Sequence, residues 1–409
     1  MDARHKVYPW AVQRPDPRAG HDELWFNGPM KPVTPKSKPD TAAAEAGGIL
    51  TVDLGALRAN YLDLKQRAAP ARCAAVVKAD GYGVGLEPAA VALAKAGCKT
   101  FFVALLDEAL RLRTVAPDAD IYVLNGLNPG TAAICHDIDA RPVLGSMAEI
   151  EEWEGYAREA GEPLPAAIHI DTGMARHGLT AAEAAALADR LKTLAFKPSL
   201  IMSHLACADE PTHPMNAKQI ADFRAITARF PGIHASLANS AGLLAHRDSH
   251  FDLVRPGIAL YGGRAMIEGD NPMRAVVRLE LRVVQVRSVK RGETVGYGGE
   301  FTYKRDGRVA VLSAGYADGI FRTAGSNDRK QGAEAIVAGR RCPLVGRVSM
   351  DLITIDVTAV PESEVKRGDL AILLGDGISV DDLAARSGTI GYEVLTHLGR
   401  RYARVYDGA

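Results

Sequence analysis

The 409-residue sequence has few cysteines, no excess of either charge and no long apolar run. Its five cysteines are an odd number without a Cys-x-x-Cys pair, which argues against a disulfide framework and a structural zinc site. Lysine plus arginine and aspartate plus glutamate both number 49, so the formal net charge is zero. We therefore expect no broadly basic face for nucleic acid or an anionic membrane surface. The cysteines and histidines do not have metal-ligand spacing, so we also expect no metal site.

No apolar stretch reaches the ~18 residues that a membrane-spanning helix needs. The N-terminal region also lacks the uninterrupted apolar core of a signal peptide. These two absences predict a cytoplasmic protein whose cysteines are buried, reduced thiols.

Residues 1–48 differ in composition from the rest of the chain. They hold seven of the 22 prolines and two of the three tryptophans, Trp10 and Trp25. Proline at this density is typical of an extended arm, so we expect residues 1–48 to be an N-terminal extension.

Residues 49–276 alternate short apolar runs with amphipathic segments, a pattern that favours parallel strands joined by helices. Eight such strands match the size of a (β/α)₈ barrel. They lie at 74–78, 101–105, 121–124, 141–144, 166–170, 200–204, 234–239 and 251–254. A doubly wound open sheet is the alternative, but no Gly-x-Gly-x-x-Gly motif follows the first of these strands. The strand-like run at 49–52 is left outside the barrel.

From about residue 277 to residue 409 helical pattern is scarce, and glycine and proline separate strand-like runs. This pattern predicts a second, mostly β domain. The whole chain is therefore expected to be an α/β barrel followed by a mostly β C-terminal domain.

Polar residues occur where the predicted barrel strands end. In barrel enzymes the carboxyl ends of the strands form the active-site rim, so these side chains are expected to share one site for an anionic ligand. They are Lys78, Arg176, His204, Asn239, Ser240 and Arg255.

Lys78 ends an apolar strand, where an unpaired ammonium group is costly. Burial would lower its pKa and make it a usable amine nucleophile. The alternative is a lysine that extends from the strand end to solvent. The glycines at 81, 83 and 85 resemble a phosphate loop without its lysine, and simple turn formation explains them equally well.

In these motifs the sequence resembles the alanine racemases, which are fold-type III pyridoxal-phosphate enzymes. The matching motifs keep their order and spacing from about residue 49 to the C-terminus. They are 77–83 (VKADGYG), 171–176 (DTGMAR), 203–205 (SHL), 239–240 (NS), 255–258 (RPGI), 295–299 (VGYGG), 314–319 (AGYADG), 348–351 (VSMD) and 391–394 (GYEV).

The resemblance implies a cytoplasmic homodimer that interconverts L- and D-alanine with pyridoxal 5'-phosphate and supplies D-alanine for peptidoglycan. Lys78 would hold the cofactor covalently and act as one acid/base. Tyr297, contributed by the other subunit, would act on the opposite face. A free lysine and a free tyrosine both titrate near pH 10, so such groups must be made more acidic to work near neutrality.

The remaining site residues also follow from the resemblance alone. Arg255 would contact the pyridine nitrogen, and His204 would link that arginine to Tyr297. Tyr82, Ser240, Gly257, Ile258 and Tyr392 would form the phosphate cup. Arg176 and Met350 would bind the substrate carboxylate and a cofactor oxygen. Asp351 would lie near the lysine, and Asp209, Tyr316 and Arg322 would line the substrate corridor.

His169 departs from the family, because many relatives carry a carbamylated lysine there that orients Arg176. A histidine does not carry that carbamate, so we expect another anion, chloride or a carboxylate, to hold Arg176. Gly81 and Val84 replace the usual alanine and histidine of the lysine motif, with little expected effect since neither position needs to ionise.

Three alternatives stay open. A broad-spectrum racemase would carry a disulfide near Cys73 and Cys98, but those enzymes are exported. A fold-type III decarboxylase would need an acidic partner for the pyridine nitrogen, which Arg255 is not. A non-catalytic pyridoxal-phosphate carrier would lack the domain that supplies Tyr297.

Overall fold

The computed structural model describes residues 44–408. The predicted extension at residues 1–48 therefore lies outside the described residues, apart from residues 44–48. No helix within the described range is long and apolar enough to cross a membrane.

A closed ring of parallel strands forms the first part of the chain. The strands are β2 (Arg72–Cys73), β3 (Ala75–Val76), β4 (Thr100–Val103), β5 (Asp120–Val123), β6 (Ala140–Leu144), β7 (Pro165–His169), β8 (Lys197–Met202), β9 (Ala235–Ser236) and β10 (Leu253–Val254). Strands β3 to β9 pair in sequence order, and β10 pairs with β2. Only Ala74 separates β2 from β3, and its N–H donates to the Val254 carbonyl at 3.0 Å. The ring thus closes through one interrupted strand, and the predicted (β/α)₈ barrel is confirmed.

The barrel strands are buried because helices cover their outer side. All four residues of β4 are buried, as expected for a parallel strand with no solvent-facing side. The helices are α1 (Leu54–Ala68), α2 (Leu86–Lys95), α3 (Leu106–Val115), α4 (Ala132–Asp137), α5 (Met147–Ala160), α6 (Ala181–Asp189), α7 (Pro214–Thr227) and α8 (Ser240–Ala245).

Local sequence sets where several helices begin. The Asp53 carboxylate accepts a hydrogen bond from the Ala56 N–H at 2.7 Å at the start of α1. Thr180 and Glu183 form a capping box at the start of α6, where each side chain accepts from the other residue's backbone N–H. Each cap satisfies N–H groups that the first helical turn leaves without partners.

The C-terminal part is mostly strand, as predicted. Its strands are β11 (Val277–Val289), β12 (Thr294–Val295), β13 (Phe301–Thr302), β14 (Gly307–Leu312), β15 (Glu334–Val337), β16 (Arg340–Pro343), β17 (Ile353–Asp356), β18 (Leu370–Leu374) and β19 (Ala403–Asp407). Helices α9 (Val380–Ser387) and α10 (Gly391–Thr396) follow β18. Strand β11 is central, since it pairs with β14, β18 and the N-terminal strand.

The N-terminal strand β1 (Gly48–Asp53) lies in the C-terminal sheet rather than in the barrel. It pairs antiparallel with β11 and parallel with β19, so it joins the first and last segments of the described chain. Strand β11 begins at Val277, next to the predicted domain boundary. We retain the division into 49–276 and 277–409 as a proposal.

All five cysteines are free; Cys73, Cys98, Cys135 and Cys342 are buried, and Cys207 is half-buried. Within residues 44–408 no group of three or more histidine, cysteine, aspartate or glutamate side chains is placed to hold a metal ion.

Candidate active site

A cavity of about 920 Å³ opens at the carboxyl ends of the barrel strands. Its volume is that of a typical small-molecule site. The predicted site residues in its wall are Lys78, Tyr82, Arg176, His204, Asn239, Ser240, Arg255, Gly257, Ile258 and Tyr392. Parallel strands place their carboxyl ends on one rim, which is why residues so distant in sequence meet here.

Lys78 follows β3, and the chain after it turns with left-handed backbone angles. The φ values of Ala79, Asp80 and Tyr82 are 55°, 56° and 53°. Such angles are unfavourable for residues with a Cβ, so surrounding contacts must hold this turn. Burial lowers the pKa of the Lys78 amine, and the charges of Arg176 and Arg255 lower it further. A lowered pKa gives Lys78 more of the neutral amine that a nucleophile or base requires.

Tyr82 ends this turn and lies against the loop after β10. Its ring stacks on Tyr261 with 4.7 Å between the ring centroids. A Cβ at Gly257 would overlap the Tyr82 hydroxyl, so only glycine allows this close approach. Burial raises the pKa of Tyr82, and burial with Asp209 and Asp381 raises that of Tyr392 to about 12. Both phenols therefore stay protonated and act as hydrogen-bond donors at neutral pH.

Ser240 begins α8 and faces the same loop. Its Oγ accepts a hydrogen bond from the Gly257 N–H at 2.8 Å. The hydroxyl proton remains available to donate into the cavity. Ser240, Tyr82 and Tyr392 thus supply three hydroxyl donors beside Gly257, which suits a phosphate group.

Arg255 is 3% exposed and lines the cavity. Its guanidinium donates to the Ser203 carbonyl at 2.6 Å and to the Ser236 hydroxyl. It also donates from Nη2 to His204 Nδ1 at 3.3 Å, which leaves the proton of a neutral imidazole on Nε2. Burial lowers the pKa of Arg255 to about 9, so it stays charged at neutral pH.

His169, at the end of β7, lies beside His177 with 5.1 Å between the ring centroids. His169 is 7% exposed, and its Nδ1 has no hydrogen-bond partner. Burial, His177 and Arg255 lower the pKa of His169 to about 3, so its imidazole is neutral. Among residues 44–408 no carboxylate forms an ion pair with Arg176, so none of them is the anion expected there.

Tyr297, Met350, Asp351, Tyr316 and Arg322 line a different pocket of about 680 Å³ in the C-terminal domain. None of them lines the cavity that holds Lys78. Tyr297 is 69% exposed and Met350 is 53% exposed. The Asp351 carboxylate accepts a hydrogen bond from Arg401 at 2.7 Å, and Arg401 also pairs with the buried Asp318.

Asp209 lines a third pocket, of about 650 Å³, which shares His204, Asn239, Ile390 and Tyr392 with the Lys78 cavity. This pocket therefore adjoins the Lys78 cavity. Tyr316 and Arg322 line neither of these two pockets.

Sequence reasoning missed several residues of the main cavity. Asn125, Asn128, His177, Glu393 and Thr396 line it. Asn125 and Asn128 follow β5. Like Lys78, they lie at the carboxyl end of a barrel strand, and this position is the sequence signal that could have identified them.

Comparisons with known proteins agree with this architecture. The family model "Alanine racemase, N-terminal domain" matches residues 52–265, and "Alanine racemase, C-terminal domain" matches residues 276–406. An alanine racemase of Methylobacterium sp. (strain 4-46) is 52% identical over 366 residues, covering 90% of this chain and 99% of that protein. Two Agrobacterium fabrum proteins, described as catabolic and biosynthetic alanine racemases, are each 47% identical; they cover 89% and 87% of this chain, and 93% of each relative is covered.

Among solved structures, alanine racemase from Bartonella henselae with covalently bound pyridoxal phosphate superposes with a TM-score of 0.83 at 38% identity. It covers 88% of this chain, and 99% of that structure is covered. A barrel with a half-buried lysine at its rim, joined to a mostly β domain, defines the barrel class of pyridoxal-phosphate enzymes. Since both halves match, the chain belongs to the alanine racemase family.

The cavity residues fit pyridoxal phosphate. Lys78 presents an amine of lowered pKa to an aldehyde. Tyr82, Ser240 and Tyr392 line the cavity with Gly257 and offer hydroxyl donors to a phosphate. Arg255 offers a charged donor to a ring nitrogen.

Proposed function

We propose that this chain interconverts L- and D-alanine with pyridoxal 5'-phosphate as its cofactor, by a mechanism with two acid/base groups. The observation that carries the proposal is the position of Lys78 at the cavity rim, with Arg255 and the Tyr82 hydroxyl in the same cavity. The match to both domains of the alanine racemase family supports the choice of substrate.

When bound, pyridoxal phosphate withdraws electrons from the bonds of the substrate α-carbon and makes its proton labile. Lys78 would hold the cofactor, and its amine would take or return that proton on one face. Its lowered pKa keeps enough neutral amine to act as a base near neutral pH.

Arg255 tunes the site from the other end of the cofactor. Its guanidinium donates but cannot accept, so it would keep a facing ring nitrogen unprotonated. Arg255 would thereby limit electron withdrawal by the cofactor and disfavour side reactions such as transamination. The hydrogen bonds to Ser203, Ser236 and His204 fix this guanidinium in place.

Racemisation also needs a proton donor on the opposite face, and we assign that role to Tyr297 of a partner subunit. In a single chain Tyr297 lies in a separate pocket and is 69% exposed, together with Met350 at 53%. An exposed tyrosine and methionine on one face suit an interface between copies of the chain. We therefore infer a homodimer in which each subunit contributes Tyr297, Met350 and Asp351 to its partner's cavity.

The other predicted roles remain part of this proposal. Arg176 at the cavity wall is assigned to the substrate carboxylate and a cofactor oxygen, together with Met350 of the partner subunit. Asp209 and the partner's Tyr316 and Arg322 are assigned to the substrate corridor. The cytoplasmic location stays a prediction. A role in D-alanine supply is likewise proposed, since the relatives include both biosynthetic and catabolic enzymes.

A coupled assay that detects D-alanine formed from L-alanine tests the proposal directly. We expect activity from the purified chain with pyridoxal phosphate, and a loss of at least about a thousandfold in Lys78→Ala. The exposed Lys95→Ala, on the surface of α2, is the matched control and should keep full activity. Enantiopure alanine that stays optically unchanged with the parent protein would exclude the proposed function. Parallel assays with serine, lysine and arginine test the broad-spectrum alternative.

A further inference from the structure

The loops at the carboxyl ends of the barrel strands are tied together in neighbouring pairs by single side chains. Glu108 joins the loops after β3 and β4, and Glu149 joins those after β5 and β6. Gln219 joins those after β7 and β8, since it bonds Thr172, the His204 carbonyl and the Ala206 N–H. Ser240 joins those after β9 and β10 through the Gly257 N–H.

Glu108 is the member of this set that reaches the Lys78 turn. It is 7% exposed, and both carboxylate oxygens are used. One oxygen accepts a hydrogen bond from the Asp80 N–H at 3.0 Å. The other accepts from the N–H groups of Ala104 and Leu105 at 2.9 and 3.2 Å. The bonds from Ala104 and Leu105 are enough to cap the start of α3. The bond from Asp80 therefore serves a different purpose: it links α3 to the turn that follows Lys78.

That connection acts on the backbone between two proposed cofactor contacts. Asp80 lies two residues after Lys78 and two before Tyr82. The turn between them is left-handed, with φ of 55° at Ala79 and 56° at Asp80. A backbone held at such angles relaxes when its restraints are removed, and both side chains would then change direction.

Glu108 also balances the charges around the Lys78 amine. Arg176 and Arg255 lower the pKa of Lys78, whereas Glu108 raises it. Asp80, in the same turn, is another carboxylate nearby, and it forms an ion pair with Arg111 at 2.7 Å. Burial lowers the pKa values of His204 and His169, so both are neutral near pH 7. Of the charged groups that shift the pKa of Lys78, Glu108 is the anion.

We propose that Glu108 is a positioning residue that holds the Lys78–Tyr82 turn in the geometry needed to bind the cofactor. This inference rests on the proposed function of the cavity. Glu149 supplies the matched control. Its oxygens accept from the Leu127 N–H at 3.0 Å and the Gly145 N–H at 2.9 Å, which is the same kind of link on loops that lack Lys78.

The test compares Glu108→Gln with Glu149→Gln. A glutamine keeps the size but turns an NH₂ group toward a backbone donor, so each variant loses one side of its link. We expect both variants to lose similar thermal stability. Only Glu108→Gln should raise the dissociation constant of pyridoxal phosphate by about tenfold and lower kcat by ~10–100-fold, with the KM for alanine unchanged.

A spectroscopic readout separates positioning from stability. The absorbance of lysine-bound cofactor is titrated with pH in both variants and in the parent holoenzyme. The Glu108 charge raises the pKa of Lys78, so its removal should move the low-pH side of this titration (the acid limb) toward lower pH in Glu108→Gln alone. Glu108→Asp keeps the charge but is one methylene shorter, so it should keep the parent's acid limb while losing cofactor affinity.

Equal changes in stability, cofactor affinity and acid limb in Glu108→Gln and Glu149→Gln would overturn the inference. If Glu108→Gln does not fold, the comparison of Glu108→Asp with Glu149→Asp decides in the same way. A parent protein that neither binds pyridoxal phosphate nor racemises alanine would instead refute the proposed function.

Discussion

Arg255 Nη2 donates a hydrogen bond to Nδ1 of His204 at 3.3 Å. The pair lies among positive charges, and burial together with Arg255, Arg176 and Lys78 holds the pKa of His204 well below its usual range. The imidazole is therefore neutral, and its remaining proton, on Nε2, is free to reach another acceptor.

Replacement of Arg255 by glutamine should raise the pKa of His204, because one of the charges that lowers it is removed. The variant should also be less stable by ~1–3 kcal/mol, since the buried Ser203 carbonyl loses its donor. NMR titration of the His204 ring and urea unfolding measure the two effects. An unchanged His204 titration would show that burial alone sets its pKa.

His169 should make stability depend on pH. Its pKa is about 3 in the folded protein and ~6.5 in the unfolded chain. Between these values the unfolded chain binds the proton and the folded protein does not, so stability falls as pH drops from 6.5 toward 3, by up to ~1.4 kcal/mol per pH unit.

His169→Gln removes that titration. The unfolding free energy of this variant should therefore change less between pH 7 and pH 4 than that of the parent. The exposed His234→Gln serves as the control and should keep the parent's slope. If His169→Gln and the parent show the same pH dependence, the imidazole is not buried in its neutral form.

Tyr297→Phe should lower kcat/KM at least about a hundredfold in both directions, since the equilibrium constant between enantiomers is 1. Lys78 still serves one face, so exchange of the α-proton with D₂O should persist for one enantiomer only. ¹H NMR follows the exchange, and Tyr303→Phe, a buried tyrosine of the same domain, is the control. Equal exchange of both enantiomers would argue against two separate acid/base groups.

Mixed dimers test whether the site is shared. When Lys78→Ala and Tyr297→Phe chains are mixed and exchanged, half of the dimers carry one of each. If Tyr297 acts across the interface, one of their two sites has both groups intact, so activity should recover to about a quarter of the parent's. No recovery, with subunit exchange verified by mass spectrometry, would place both groups in the same chain.

Gly257→Ala should weaken pyridoxal phosphate binding by about tenfold, because the new Cβ overlaps the Tyr82 hydroxyl and displaces it from the cavity wall. Fluorescence titration of the cofactor-free protein measures the affinity. Gly155→Ala, in α5 with no atom within 4 Å of the added methyl group, is the control. Unchanged affinity in Gly257→Ala would remove Tyr82 from the phosphate contacts.

Much of the barrel and its rim follows from local sequence pattern. The apolar runs before Lys78 and His204 predict strands, and because parallel strands end on one side of the barrel, both residues are expected at one cavity. The strand-end rule also reaches Asn125 and Asn128, although sequence reasoning did not use it there. His177 lies beyond that rule, because its loop folds back until its ring packs over Gly145.

The sequence by itself determined the period of the strands and helices, the chemistry of each side chain and the family, because these depend on neighbouring residues and on motif spacing. Tertiary structure alone decided that β1 joins the C-terminal sheet, that Glu108 bonds Asp80, and that Tyr297 lies apart from Lys78 in a single chain. Those facts depend on contacts between segments far apart in the chain. Local pattern does not encode which distant backbone group a carboxylate or a strand edge will meet.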